Sequence, residues 1–381
     1  MIELHDRSGK LLQRISADSF GAALERCARE RIALPSLDAS GQDLSERNLS
    51  GLQAPNISLS GARLNGADIS YAKLPGANID HLQAAGLVAV EVNMKGGAGI
   101  HVSMPNSDFT KAEIQGLSAP RIQAAGIILD GAEGEGVNFN SGQLSDMSAR
   151  GAKFQNSSWR NAGVVNSNNT LSEYVSVDAQ DIQARGSDWT GAKLSGNWSG
   201  ADLSSETDST GRVVRQTKLV GATIEGEMVG ARFTMADASG ISIKGNATSS
   251  KWMGSTLEDA HLDGIFTRAA FKPYSWADGS AHQETNLRSA TLHGVFKRVD
   301  CSNANAEGIE ISGLIQNSRW AGANLRDMSI GDGLRIAGGE FRDANNVPHL
   351  IRERSERVPA PDPNLSVSNS TSAQDRAALG H

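Results

Sequence analysis

The chain has 381 residues, a net charge of −7, 41 glycines and only 5% aromatic residues. So few aromatics at this length argue against a conventional globular core, which takes large buried areas from Phe, Tyr and Trp. The acidic balance argues against binding nucleic acid by neutralising phosphates, and the lack of an apolar run near eighteen residues argues against a membrane span.

The first seven residues show no basic segment followed by an apolar stretch, so no secretory signal is expected. Residues 2–5 and 10–15 flank Asp6-Arg7-Ser8-Gly9 and read as a short hairpin. Ser16 or Asp18 is expected to cap a helix through about Ile32, with Phe20, Leu24, Cys27 and Ala28 on one face. Residues 1–33 therefore read as a small α/β cap over whatever follows. Cys27 and Cys301 are the only cysteines and lack CxxC spacing. They predict a reducing, cytoplasmic setting, with export by a route lacking a cleavable signal as the alternative. Cys27 itself reads as a small buried hydrophobe.

From Leu34 the sequence steps by five: Leu34, Ala39, Leu44, Leu49, Ala54, Leu59, Leu64, Ile69, and so on in frame to Trp189 and Leu194. That is 33 units without an insertion, and only Gly99, Gly134 and Asn169 in the series lack an apolar side chain. The residue two places earlier is a second inward position, and the two trade volume. Ala39, Ala54, Ala84 and Ala89 follow Leu37, Leu52, Leu82 and Leu87, whereas Trp159, Tyr174 and Trp189 follow Ser157, Ser172 and Ser187. Interiors pack at crystal-like density, so such compensation implies that both positions share one narrow core. Neither a helical nor an alternating period gives a step of five. A chain that turns a corner every five residues does, its coils stacked at the spacing of paired strands.

The pentads Gly-Ala-Asp-Ile-Ser (66–70), Gly-Ala-Asn-Ile-Asp (76–80), Gly-Ala-Asp-Leu-Ser (200–204) and Gly-Ala-Asn-Leu-Arg (322–326) resemble the pentapeptide-repeat family. The resemblance covers roughly residues 34–346. It implies an all-β solenoid, a right-handed quadrilateral parallel β-helix, and assigns no biochemical role.

The regular solenoid is expected over 34–203, followed by a loop or irregular coil at 204–216. Repeats resume over 217–263, an irregular excursion spans 264–286, and a last run covers 287–346. Residues 347–381, rich in Pro, Ser and Asn, read as a disordered tail.

No Walker A, HExxH or CxxC motif occurs, and Gly131-Ala132-Glu133-Gly134-Glu135-Gly136 lies in frame with the repeat. The reading is therefore non-catalytic, with no cofactor or metal. The chain is expected to be a protein-interaction or structural scaffold whose partner is a protein, its oligomeric state left open, a dimer included. Phe271, Tyr274 and Trp276, in the irregular excursion, are the candidate partner-binding residues; the competing reading has them folded back to plug a coil. One alternative is a DNA-mimicking protector of a topoisomerase such as gyrase, as some proteins of the resembled family are. The outward acids Asp38, Asp43, Asp68, Asp108, Glu113, Glu133, Glu173, Asp178 and Asp188 spread over all four sides, which weakens it. Another alternative is a translocated bacterial effector or phage-associated rod.

Overall fold

The structure, a computed structural model, describes residues 1–275, 282–341, 343–347 and 351. Each five-residue side is one repeated local solution. Two inward side chains bracket an outward residue that pairs with the coil before: Arg63 N donates to Gln42 O (2.9 Å) and Arg63 O accepts from Leu44 N (2.7 Å). The corner needs a left-handed residue, as at Gly66 (φ +65°) and Tyr71 (φ +60°). The outward Asp or Asn preceding the inward Leu or Ile closes that corner. Asp68 Oδ1 accepts from Ser70 N (2.8 Å), and Asn78 Oδ1 from Asp80 N (2.9 Å).

Parallel bridges link residues twenty apart into four walls. The first runs from Ala33, Gln53 and Lys73, the second from Asp38, Ser58 and Asn78, the third from Asp43, Arg63 and Gln83, and the fourth from Asn48, Asp68 and Val88. Each ladder has fifteen rungs and ends at Ser329, Arg335, Glu340 and Asn345 respectively. At about 4.8 Å per rung the rod is about 67 Å long.

One continuous apolar column fills it. At several of the large rings, among them Phe109, Trp159 and Trp189, a serine takes the first inward position and bonds to the backbone of the coil below. Ser187 Oγ donates to Val164 O (2.7 Å) and accepts from Ser167 N (3.0 Å). That removes the cost of burying a hydroxyl in an apolar column. The rings of Phe139, Phe154, Trp159, Tyr174, Trp189 and Trp198 then pack mostly edge to face, with centroids 5.0–6.2 Å apart.

Strands β1 (Ile2–His5) and β2 (Leu11–Ile15) form an antiparallel hairpin, followed by helix α1 (Phe20–Arg29). The cap residue is Ser19, whose Oγ accepts from Ala22 N (3.1 Å), rather than Ser16 or Asp18. The helix ends at Arg29, three residues short of Ile32, because the chain must turn to enter the first coil. Leu24, Cys27 and Ala28 are buried and Phe20 partly so. Asp38 N donates to His5 O (2.9 Å) and the Arg7 guanidinium to Asn56 O (3.2 Å), which fastens hairpin to rod.

After Leu194 the frame slips because one residue is missing at the corner between the first and second walls in six successive coils, from Lys193–Asn197 to Glu310–Leu314; in the last coil the step from Ser329 to Arg335 is one residue longer instead. Rungs there are nineteen apart, as from Gln183 to Asp202 and from Lys218 to Asp237. The short strands Lys193–Asn197, Thr223–Glu227 and Ser242–Asn246 run straight through the missing corner. Gly196, Gly226, Gly245, Gly264 and Gly294 stand in register up it, with φ from +113° to +145°. A Cβ on any of the last four would overlap the carbonyl oxygen of the glycine below. The first and second walls thereby merge into one sheet, with strands as long as His261–Thr267 and Thr291–Lys297.

Candidate functional site

Two hairpins leave the corner between the third and fourth walls. One pairs Glu206–Thr207 with Val213–Arg215, the other Tyr274–Ser275 with His282–Gln283. Neither interrupts the solenoid. The fourth-wall ladder passes beneath them through Asp188, Lys218 and Asp237, and through Thr256, Asn286 and Asn305. The step between these walls is five residues from Arg232 to Asp237 but sixteen from Asp202 to Lys218 and from Ala270 to Asn286. Each hairpin is thus an insertion of eleven residues into an otherwise ordinary coil.

Both close with the same lock. Thr217 Oγ1 donates to Ser204 O (2.7 Å) and accepts from Gly186 N (2.9 Å). Thr285 Oγ1 donates to Lys272 O (2.6 Å) and accepts from Gly254 N (2.8 Å). The two locks are 68 residues apart, and that offset matches 20 of the 68 residues of 186–253 to residues of 254–321. Among them are Leu194 and Leu262, Gly196 and Gly264, Ile243 and Ile311, and Trp252 and Trp320. The stretch is a tandem pair of three-coil units, each one coil of thirty residues followed by two of nineteen. Matched side chains are largely inward or glycine, while the paired hairpin strands share no residue. The period is legible in the sequence as Leu or Ile, one residue, then Gly at 194, 224, 243, 262, 292 and 311. A search restricted to steps of five passes over it.

The expected contact residues separate. Phe271 is fully buried and belongs to the filling of the third wall, where it stacks on Trp252 (6.0 Å, 9°), itself stacked on Phe233 (3.7 Å, 5°). It is therefore not available to a partner; its place in the repeat, not exposure, explains it. Tyr274 is partly exposed on the hairpin and lies over Gly254. Trp276 lies outside the described residues. The excursion is also shorter than 264–286, since Ile265 and Ala270 keep their rungs. Beside its base, Met253, Lys272, Pro273, Tyr274, Ser302 and Asn303 line a hollow of about 790 Å³.

On the first hairpin Val213 and Val214 are exposed, and Arg215 leans over Gly186 toward Asp146 (3.9 Å). Asp208 builds the tip, accepting from Thr210 Oγ1 (2.6 Å), Thr210 N (2.8 Å) and Arg212 N (3.1 Å). Those bonds, the Thr210 hydroxyl first, hold its carboxyl below the usual carboxylate range. Elsewhere wall charges pair between adjacent rungs, as in Asp130–Arg150 (2.6 Å), Glu173–Lys193 (2.9 Å) and Asp202–Arg232 (3.0 Å). Among the described residues no group of three or more His, Cys, Asp or Glu could hold a metal ion.

Residues 43–79 match the family of pentapeptide repeats, with eight copies. No curated protein matches the sequence. Among solved structures, HetL, a pentapeptide repeat protein involved in heterocyst differentiation regulation in the cyanobacterium Nostoc, is 17% identical. That match covers 86% of this chain and 94% of HetL, with a TM-score of 0.20. QnrB1, a plasmid-mediated fluoroquinolone resistance protein, is 15% identical over 62% of this chain and 93% of its own, with a TM-score of 0.24. The A-module of the Azotobacter vinelandii mannuronan C-5 epimerase AlgE4 is 11% identical over 86% and 94%, with a TM-score of 0.32. Likenesses at this level transfer no activity and no partner.

Proposed function

The chain being a pentapeptide-repeat protein, we propose that it is a non-catalytic scaffold that holds a protein partner against the hairpin-bearing corner of a rigid rod. The observation that carries this reading is the dispensability of the hairpins to the ladders: eleven residues are added twice, at one corner, and no rung depends on them. Three rungs, or about 14 Å, separate their bases, close enough for one partner to touch both. Side chains inside the coils are chosen for packing, whereas the hairpin strands have diverged between the two units, as contact residues do when the frame alone is constrained.

The test compares the full chain with two excisions: residues 206–216 with Ser205→Gly, and residues 274–284 with Pro273→Gly. Each restores a nineteen-residue coil with a glycine at the corner. Cross-linking in cell extract, read by mass spectrometry, is expected to give partners whose links fall on this corner and vanish in one or both excisions. An unchanged set of links would sink the proposal. The topoisomerase reading draws less support, because the outward acids are spread over all four walls and several, such as Asp43, Glu113, Glu173 and Asp188, are paired with Lys or Arg; a gyrase supercoiling assay with added fluoroquinolone tests it directly.

A further inference from the structure

The second wall changes character near its C-terminal end. Its outward rungs run Asp38, Ser58, Asn78, Ala98, Ser118, Asn138, Ser158, Asp178, Asn197, Glu227 and Asn246, all polar or small. The next three are Ile265, Val295 and Leu314. Ile265 is 46% exposed and the other two are half-buried. Strand formation does not require them, since eleven earlier rungs of the same ladder pair equally well without a large apolar residue. Solvent-facing apolar side chains in line on consecutive rungs mark a contact surface.

The surroundings suit a close approach. Gly264, Gly294 and Gly313 stand immediately before these three residues, in the corner that the missing residue has flattened, so no ridge rises beside the stripe. On its other side lie Arg268, Lys297 and Arg298. None of the three has an ion-pair partner among the described residues, in a chain of net charge −7 whose other arginines are often paired across rungs.

We propose that Ile265, Val295 and Leu314, rimmed by Arg268, Lys297 and Arg298, dock an acidic amphipathic helix of a protein partner lying along the rod axis. A helix advances about 5.4 Å per turn and the rungs about 4.8 Å, so an apolar face at i, i+4 and i+7 meets one rung per turn over this short span. Acids along one flank of such a helix then face the three unpaired cations. A lipid surface is the poorer occupant, because the side chains form a single flat line rather than a protruding face. The inference rests on the reading of the rod as an interaction protein but uses a different face, so excising either hairpin leaves it intact.

The probe is a synthetic amphipathic helix with leucines at i, i+4, i+7 and i+11 and glutamates on one flank, with a lysine-flanked peptide as control. The full chain is expected to bind the acidic peptide saturably. The Ile265→Ser/Val295→Ser/Leu314→Ser and Arg268→Glu/Arg298→Glu variants are each expected to weaken it by roughly tenfold or more, with unchanged circular dichroism. Equal binding of the lysine-flanked peptide, or undiminished binding by the serine variant, overturns the proposal. So does a failure to bind the peptide while anionic phosphatidylserine vesicles are retained through the same residues, which assigns the stripe to a membrane instead.

Discussion

Tyr174 donates its hydroxyl proton to Asn169 Oδ1 across 2.9 Å, and both side chains are completely shielded from solvent. Asn169 occupies a position that is apolar in nearly every other repeat of the series, and Tyr174 makes that tolerable. Burial pushes the phenol far above its usual range, so it remains a donor. Tyr174→Phe is expected to cost about 1–3 kcal/mol by leaving the amide oxygen unpaired. Replacing both, as Tyr174→Phe/Asn169→Leu, should recover part of that loss. Urea unfolding of the two variants and of Asn169→Leu alone measures the coupling; additive losses would show that the bond contributes nothing.

The glycine ladder makes a contrast between glycines of the same protein. Gly264→Ala places a methyl group into Gly245 O, and a cost of roughly 3 kcal/mol or more is expected from the displaced backbone. Gly61→Ala also meets a positive φ but touches nothing within 4 Å. It should cost only about 1–2 kcal/mol. Thermal melts of the pair check the order.

Excision of residues 206–216 with Ser205→Gly should leave the far-ultraviolet spectrum and melting temperature close to those of the full chain. Removing five residues fewer leaves a coil of the wrong length and should lower the melt measurably. Similar melts for both lengths would refute the account of the hairpins as insertions.

Cys27 and Cys301 are both buried, and burial raises both thiols above their ordinary range, Cys301 the more strongly. Neither is expected to react with Ellman's reagent in the folded chain, and both should react in urea. Fast labelling of the native protein would contradict the packing described.

Asp130 is the acid with a defined pH signature. Burial alone would raise its pKa, but the bonds from Arg150 and Ser148 outweigh it and the net shift is downward. A carboxyl depressed in the folded state contributes stability above its unfolded pKa of about 3.9, and that contribution disappears as pH falls through the folded value. Asp130→Asn should therefore lower the melting temperature more at pH 7 than near pH 2. An equal deficit at both values would assign the effect to packing instead.

Much of this architecture is legible in the sequence because the solenoid interior is only a few side chains across. With so little room, Trp159 forces Ser157 and Ala84 permits Leu82, and the correlation is visible without coordinates. The count of four sides to a coil is carried by the family resemblance instead, since a step of five residues does not fix it. What the residues do not disclose is where a missing residue is absorbed. A slip after Leu194 reads as irregularity until Gly196, Gly226 and Gly245 are seen on one vertical line. Phe271 misleads for a related reason: an aromatic beside Pro273 looks like loop, although its position in the column is that of Phe233 and Trp252. The basic rim of the second wall escapes a linear reading because Arg268 and Arg298 are thirty residues apart and become neighbours only through the coil.

The change from twenty to nineteen residues per coil divides the rod into two incompatible currencies of length. A segment spliced into the first half keeps every side chain on its wall only if it comes in twenties; in the second half it must come in nineteens, or in the 68-residue unit that already occurs twice. Any other change, unless it loops out at a corner as the two hairpins do, shifts the residues that follow off their walls. Growth or shortening of this protein is therefore quantised, with each permitted change altering its reach by whole rungs of about 4.8 Å while leaving the orientation of everything beyond it unchanged.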